Sequence, residues 1–111
     1  MKEQDPNGLD QHSPGAKLDC GKPRPHLVLS SFNKALQEMV NNGTFGANKY
    51  TDNGWKEVEN GKQRYLDAAM RHYSKYCDVD EPNRDEESYT HHLGAMAWNI
   101  LAALEFELEG K

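Results

Sequence analysis

The chain has 111 residues, only 36 % of them apolar, and a formal net charge of −5. That length allows one domain at most, with a modest core, and the acidic balance argues against a broad nucleic-acid-binding face or an anionic membrane surface. Cys20 and Cys77 are too few for a disulfide scaffold. No apolar run is long enough to span a bilayer, and the opening MKEQDPNGLDQ lacks the apolar stretch of a signal peptide, so a soluble, cytoplasmic chain is expected.

Residues 1–16 are rich in Gly, Pro, Asp, Asn and Gln without any period. They are expected to form a disordered tail, leaving 17–111 as the folded domain. Lys17 to His26 reads KLDCGKPRPH. Its prolines favour extended backbone and block a helix, and Leu27-Val28-Leu29 gives a short apolar plug. Lys22 and Arg24 belong to the densest basic cluster. They are either a solvated basic loop or contacts for phosphate, for which Arg supplies a planar fork and Lys a point charge.

Ser30-Ser31 can cap a first helix. Phe32, Leu36, Met39 and Val40 then recur at helical spacing, with a stop expected at Asn42-Gly43. Glu38 falls between the apolar positions and is expected at the surface, with a metal-ligand role as the alternative. Thr44 to Gly54 is turn-rich. Its neighbouring aromatics Phe45, Tyr50 and Trp55, interleaved with Lys49, form either a base-stacking platform beside a phosphate-facing lysine or a hydrophobic lid. A second helix, clean from Gln63, carries Leu66, Ala69, Met70, Tyr73 and Tyr76-Cys77 on an apolar face, and Ala68-Ala69 permit close packing. Arg71 and His72 sit in its middle.

The segment DVDEPNRDEE, 78–87, is strongly acidic and broken by Pro82. Asp85 is expected to be the N-cap of a third helix over 86–108, with Glu86 and Glu87 in its first turn. One or two of these carboxylates are candidates for binding Mg2+ or Mn2+, which prefer hard oxygen ligands. The third helix carries Leu93, Met96, Ala97, Ile100, Leu101, Leu104 and Leu108 in its main stripe, and Trp98 and Phe106 off it. A helix apolar around most of its girth is central or lies at an oligomer interface. The expected fold is therefore all-α, a small bundle of three main helices completed by oligomerisation into a homodimer or homotetramer.

His92 and Asn99, seven apart, share a face of this helix, whereas His91 falls on the Glu87 side. Asn99 needs a partner, at a cost on the order of 1–3 kcal/mol if it has none. Arg71 and His72 could project opposite. Such a set suits a metal-bound phosphate ligand or a structural polar network, and His72 with Asp78 or Asp80, plus His92, could also hold a metal that activates water. No Walker A, GxGxxG, GxSxG or HExxH pattern is present.

The order Lys17-x-Asp19-x-Gly21-Lys22-Pro23-Arg24, then Phe45-Gly46-Ala47-x-Lys49-Tyr50, Trp55, Arg64-Tyr65 with Ala68 and Arg71-His72, and finally Asp80, Glu87 and His92-Leu93 with Asn99, resembles the phage dATP/dGTP diphosphohydrolase N-terminal domain family. That family looks like part of the wider all-α, MazG-like nucleoside triphosphate pyrophosphohydrolases. The resemblance implies a helical fold, a divalent metal, oligomeric assembly, and cleavage of a purine deoxynucleoside triphosphate to the monophosphate and pyrophosphate, in the host cytoplasm if the chain is phage-encoded. The wider group carries ExxE and ExxD metal motifs; here Glu38 and Asp67 lack the partners those motifs require, so the ligands are not carried over. The local reading instead offers Asp80 and Glu87 as metal carboxylates and His72 and His92 as ligands or phosphate contacts. Lys49 and Arg71 would stabilise phosphate charge, and Tyr50 or Trp55 would stack on the base. The alternative is a non-catalytic phage module that binds a nucleotide or a protein.

Overall fold

The computed structural model describes residues 2–111. The chain divides into two compact units, Met1–Ser31 and Phe32–Lys111.

In the first unit the Asp5 carboxylate organises the turns. It accepts hydrogen bonds from the backbone N–H of Asn7 at 2.7 Å and of Lys17 at 2.7 Å. These contacts, that of Lys17 foremost, hold its carboxyl below the usual value. Lys22 pairs with Glu3 at 3.1 Å. The expected extended segment with an apolar plug is instead followed by a one-turn helix, α1 (His26–Leu29). Pro25 explains this, since its φ of −54° and ψ of −31° are already helical and proline is tolerated where a helix begins. Leu27, Val28 and Leu29 are all exposed.

The second unit is an all-α bundle of three main helices, α2 (Asn33–Lys49), α3 (Gly61–Cys77) and α4 (His92–Leu108), with a short 3-10 turn at Gly54–Glu57. Helices α3 and α4 pack most extensively, and α2 lies against α4. No β-strand occurs among the described residues; one isolated antiparallel bridge joins Arg84 and His91. No helix among them is long and apolar enough to cross a membrane.

Helix α2 does not stop at Asn42-Gly43 but runs on to Lys49. Gly43 is a packing residue: a Cβ there would come within 2.7 Å of Trp98 Nε1. Seating that indole on α2 offsets the intrinsic helical cost of glycine, about 1 kcal/mol. Ser30 and Ser31 do not cap α2, whose N-cap position is Phe32 without a side-chain bond; the Ser30 hydroxyl donates to the His26 carbonyl instead. Gly61 plays the same packing role at the start of α3, where the Phe106 ring occupies the space of a side chain.

The core is built from small residues and aromatics rather than from the leucine stripes. Ala69, Ala95, Ala102 and Ala103 are buried, which lets α3 and α4 approach closely. Trp55, Tyr65, Trp98 and Phe106 then form an aromatic cluster, Trp55 and Phe106 having ring centroids 5.6 Å apart. The Tyr65 hydroxyl donates to the Trp55 carbonyl at 3.0 Å, satisfying its polar end. Against expectation, Leu66, Met70, Tyr73 and Tyr76 of α3 and Leu93, Ile100, Leu101, Leu104 and Leu108 of α4 are exposed in the single chain, as is Cys77. One chain has too few layers to cover both faces of α4.

Candidate functional site

Helix α4 begins at His92, six residues later than the acidic run suggests. Asp85 does cap a turn: its Oδ1 accepts from the N–H of Glu87 and of Ser88, each at 3.0 Å, and from the Ser88 hydroxyl at 3.3 Å. That turn cannot propagate, because Tyr89 takes a left-handed backbone with φ of 59°, a conformation that interrupts a helix and is costly for a bulky residue. The chain then closes back on itself. The Asp85 N–H donates to the Thr90 carbonyl at 2.9 Å and the His92 N–H to the Asn83 carbonyl at 2.8 Å. His91 caps α4, its Nδ1 accepting from the Leu93 N–H at 3.0 Å.

Glu38, expected at the surface, braces this loop from α2. It is half-buried and pairs with Arg84 at 2.8 Å; that bond, chiefly, holds its carboxyl below the usual value. The same guanidinium donates to the Tyr89 carbonyl at 2.9 Å and lies 5.2 Å from the Tyr89 ring centroid. Glu38 Oε2 and Thr90 Oγ1 are buried without a hydrogen-bond partner.

The closed loop brings three groups together. His72 from α3, His92 from the start of α4 and Asp85 each offer a donor atom within 4.8 Å of the other two. The two imidazoles meet at an Nδ1–Nδ1 distance of 3.0 Å. His92 is almost fully buried, at 2 % exposure. Burial, with the charge of His92 adding to it, pushes the His72 pKa below its ordinary value, and Asp85 opposes this. The shift favours the neutral ring of His72 near neutral pH. Burial alone would raise the Asp85 carboxyl, but the N–H groups of Ser88 and Glu87, with His72, outweigh it and leave the carboxyl lowered and ionised.

An open cleft of about 290 Å³ lies beside the triad, its walls including Lys75, Arg84, Asp85, Glu86, Glu87 and His92. Lys75 was missed by the sequence reading, although it is three residues from His72 and so shares its side of the helix. Arg84 is held by Glu38, so Lys75 is the cleft-lining cation without an ion pair among the described residues. Glu87 reaches Lys49 at 2.8 Å, which raises the Lys49 pKa.

The other sequence candidates are distributed differently. Arg71 is exposed on α3, four residues before Lys75 and on the same helical face. Asp80 is exposed, and its backbone N–H is bonded to the Asp78 carboxylate; it belongs neither to the triad nor to the cleft wall. Asn99 is buried and its amide donates to the Ala95 carbonyl at 2.8 Å, so it bonds neither His92 nor the cleft. Tyr50 is 74 % exposed, with the Lys49 ammonium 5.4 Å from its ring centroid, whereas Trp55 is packed in the aromatic cluster. Lys22 and Arg24 belong to the first unit. Asp85 is the site residue that sequence reasoning set aside, because a capping role seemed to account for it.

Fold and cleft together define a small helical domain with histidine, carboxylate and lysine gathered where a loop joins two packed helices. Residues 12–111 match the family model described as dATP/dGTP diphosphohydrolase, N-terminal, and the chain belongs to that family. No curated protein and no solved structure matches the chain.

Proposed function

We propose that the chain hydrolyses purine deoxynucleoside triphosphates, dATP and dGTP, to the monophosphate and pyrophosphate, in a divalent-metal-dependent reaction at the cleft beside His72, Asp85 and His92. The observation that carries this reading is the convergence of two imidazoles and an ionised carboxylate at a cleft in a chain of this family. The cleft walls carry more carboxylates than cations, so a polyphosphate needs a cation there to reverse the local field. When bound, a divalent ion supplies positive charge to the phosphate oxygens and activates a water for attack.

The chain's own groups take the remaining roles. Lys75 and Arg71, on one face of α3, bind and orient the phosphates as fixed cations. Lys49 leaves Glu87 for the incoming polyphosphate. Glu87, released at the rim, accepts the proton of the attacking water. Tyr50, exposed beside Lys49, stacks on the base. The chain acts as a homo-oligomer, in which a second copy covers the apolar residues that α3 and α4 leave exposed.

The test is incubation with each of dATP, dGTP, dCTP and dTTP and a divalent metal, with quantitation of products. Equimolar monophosphate and pyrophosphate from the purine substrates supports the reading. Release of triphosphate or orthophosphate identifies a different hydrolase. Nucleotide binding without turnover identifies a binding module.

A further inference from the structure

We propose that His72, Asp85 and His92 form a specific site for a first-row transition-metal ion of the zinc and cobalt type, and that the site discriminates against Mg2+. The inference deepens the reading of the cleft as a hydrolytic site and rests on it for the substrate alone.

Three observations carry it. The first is donor chemistry. Two imidazoles and one carboxylate suit Zn, Co, Fe or Mn, whereas Mg2+ demands an oxygen shell and dehydrates reluctantly. The second is geometry. The two Nδ1 atoms stand 3.0 Å apart, a few tenths of an ångström short of the roughly 3.4 Å between two nitrogens that each lie about 2.1 Å from one tetrahedral ion, and one donor atom of each of the three residues lies within 4.8 Å of the others. The third is the state of the carboxylate. Asp85 Oδ1 takes all three local hydrogen bonds, from Glu87, Ser88 and the Ser88 hydroxyl. Oδ2 has no hydrogen bond among the described residues, so the turn orients the carboxylate and leaves one oxygen open. Outer hydrogen bonds of this kind fix metal ligands in direction.

The supports converge on the same point from three parts of the chain. His72 is carried by the middle of α3 and His92 by the first turn of α4, whose N–H is tied to Asn83. The Glu38–Arg84 pair braces the loop that carries Asp85. A direct hydrogen bond between the imidazoles explains their contact without a metal. It leaves the second oxygen of the neighbouring Asp85 carboxylate without a partner among the described residues.

The full chain, stripped by dialysis against a chelator, is titrated with Co2+ while the visible absorption is followed, then challenged with Zn2+ and separately with Mg2+. The expected result is one Co2+ per chain, displaced by stoichiometric Zn2+ and retained in a large excess of Mg2+. Loss of an outer-shell partner typically lowers metal affinity about 10–100-fold, so His72→Asn and Asp85→Asn should each lower it by at least that much, with the melting temperature of the metal-free chain retained. These two positions carry the test because they are less buried than His92. Displacement of Co2+ by equimolar Mg2+, or unchanged Co2+ binding in both variants, overturns the proposal. Co2+ held at the triad with no hydrolysis of dGTP leaves the metal site standing and removes the hydrolase reading. Wild-type hydrolysis by His72→Asn in Mg2+ does the reverse.

Discussion

His72 and His92 bring their Nδ1 atoms to 3.0 Å across twenty residues of chain, because α3 and α4 approach over alanines and the intervening loop closes through Asn83 and Thr90. This contact has a consequence for stability. His72 is depressed chiefly by burial, so below its usual pKa of 6.5 the unfolded chain takes up the proton first. Stability therefore falls as pH drops from 6.5 toward the folded-state value and levels off below it. Metal-free protein should melt at a lower temperature at about pH 5.5 than at about pH 7.5, and His72→Asn should flatten that difference. An unchanged pH slope in the variant would contradict the assignment. Asp85, also lowered, adds a separate loss only as pH falls through its own folded value.

The two packing glycines give a stability prediction. A Cβ at Gly61 would meet Phe106 Cε2 at 2.1 Å, and one at Gly43 would meet Trp98 Nε1 at 2.7 Å. Overpacking costs typically about 1–3 kcal/mol, which equals or exceeds the roughly 1 kcal/mol that alanine gains over glycine in a helix. Gly43→Ala and Gly61→Ala should both lower the urea midpoint. A raised midpoint in both would show that the aromatic cluster yields more easily than the contacts imply.

Helical periodicity made the three main helices legible, and the small residues Ala68-Ala69 announced close packing. The boundaries were harder to read. Gly43 has the identity of a helix stop, but its partner is Trp98, remote in sequence. The start of α4 depends on the left-handed backbone at Tyr89, a residue whose type does not suggest one. Asp85 is the most instructive case. Its capping signal was genuine, but one carboxylate oxygen satisfies the turn and the other stays open. Spacing joined His92 to Asn99 and offered His72 with His92 only as metal ligands alongside Asp78 or Asp80; the carboxylate that meets them depended on how the loop closed.

Removing the brace on that loop should be visible without any activity assay. Glu38→Gln weakens the ion pair with Arg84, whose guanidinium also holds the Tyr89 carbonyl. Amide hydrogen exchange over residues 84–90 should accelerate while α3 exchanges as before. Unchanged protection in the loop would show that its backbone bonds suffice.

The exposed leucines predict association. Leu101 and Leu104 of α4 are 53 % and 49 % exposed, and Met70 of α3 is 60 % exposed. Light scattering coupled to size exclusion should report an oligomer for the wild type, and Leu104→Glu together with Met70→Glu should shift it toward monomer. A wild type that elutes as a monomer at micromolar concentration would contradict the proposed assembly.

The most direct measurement compares wild type and Asp85→Asn on dGTP, with dGMP and pyrophosphate quantified together. The wild type should release the two in equal amounts. The variant, folded to the same melting temperature, should be slower by at least about 100-fold, the upper range for loss of an outer-shell partner alone. Intact dGTP with the wild type, or an Asp85→Asn rate equal to it, would contradict the account.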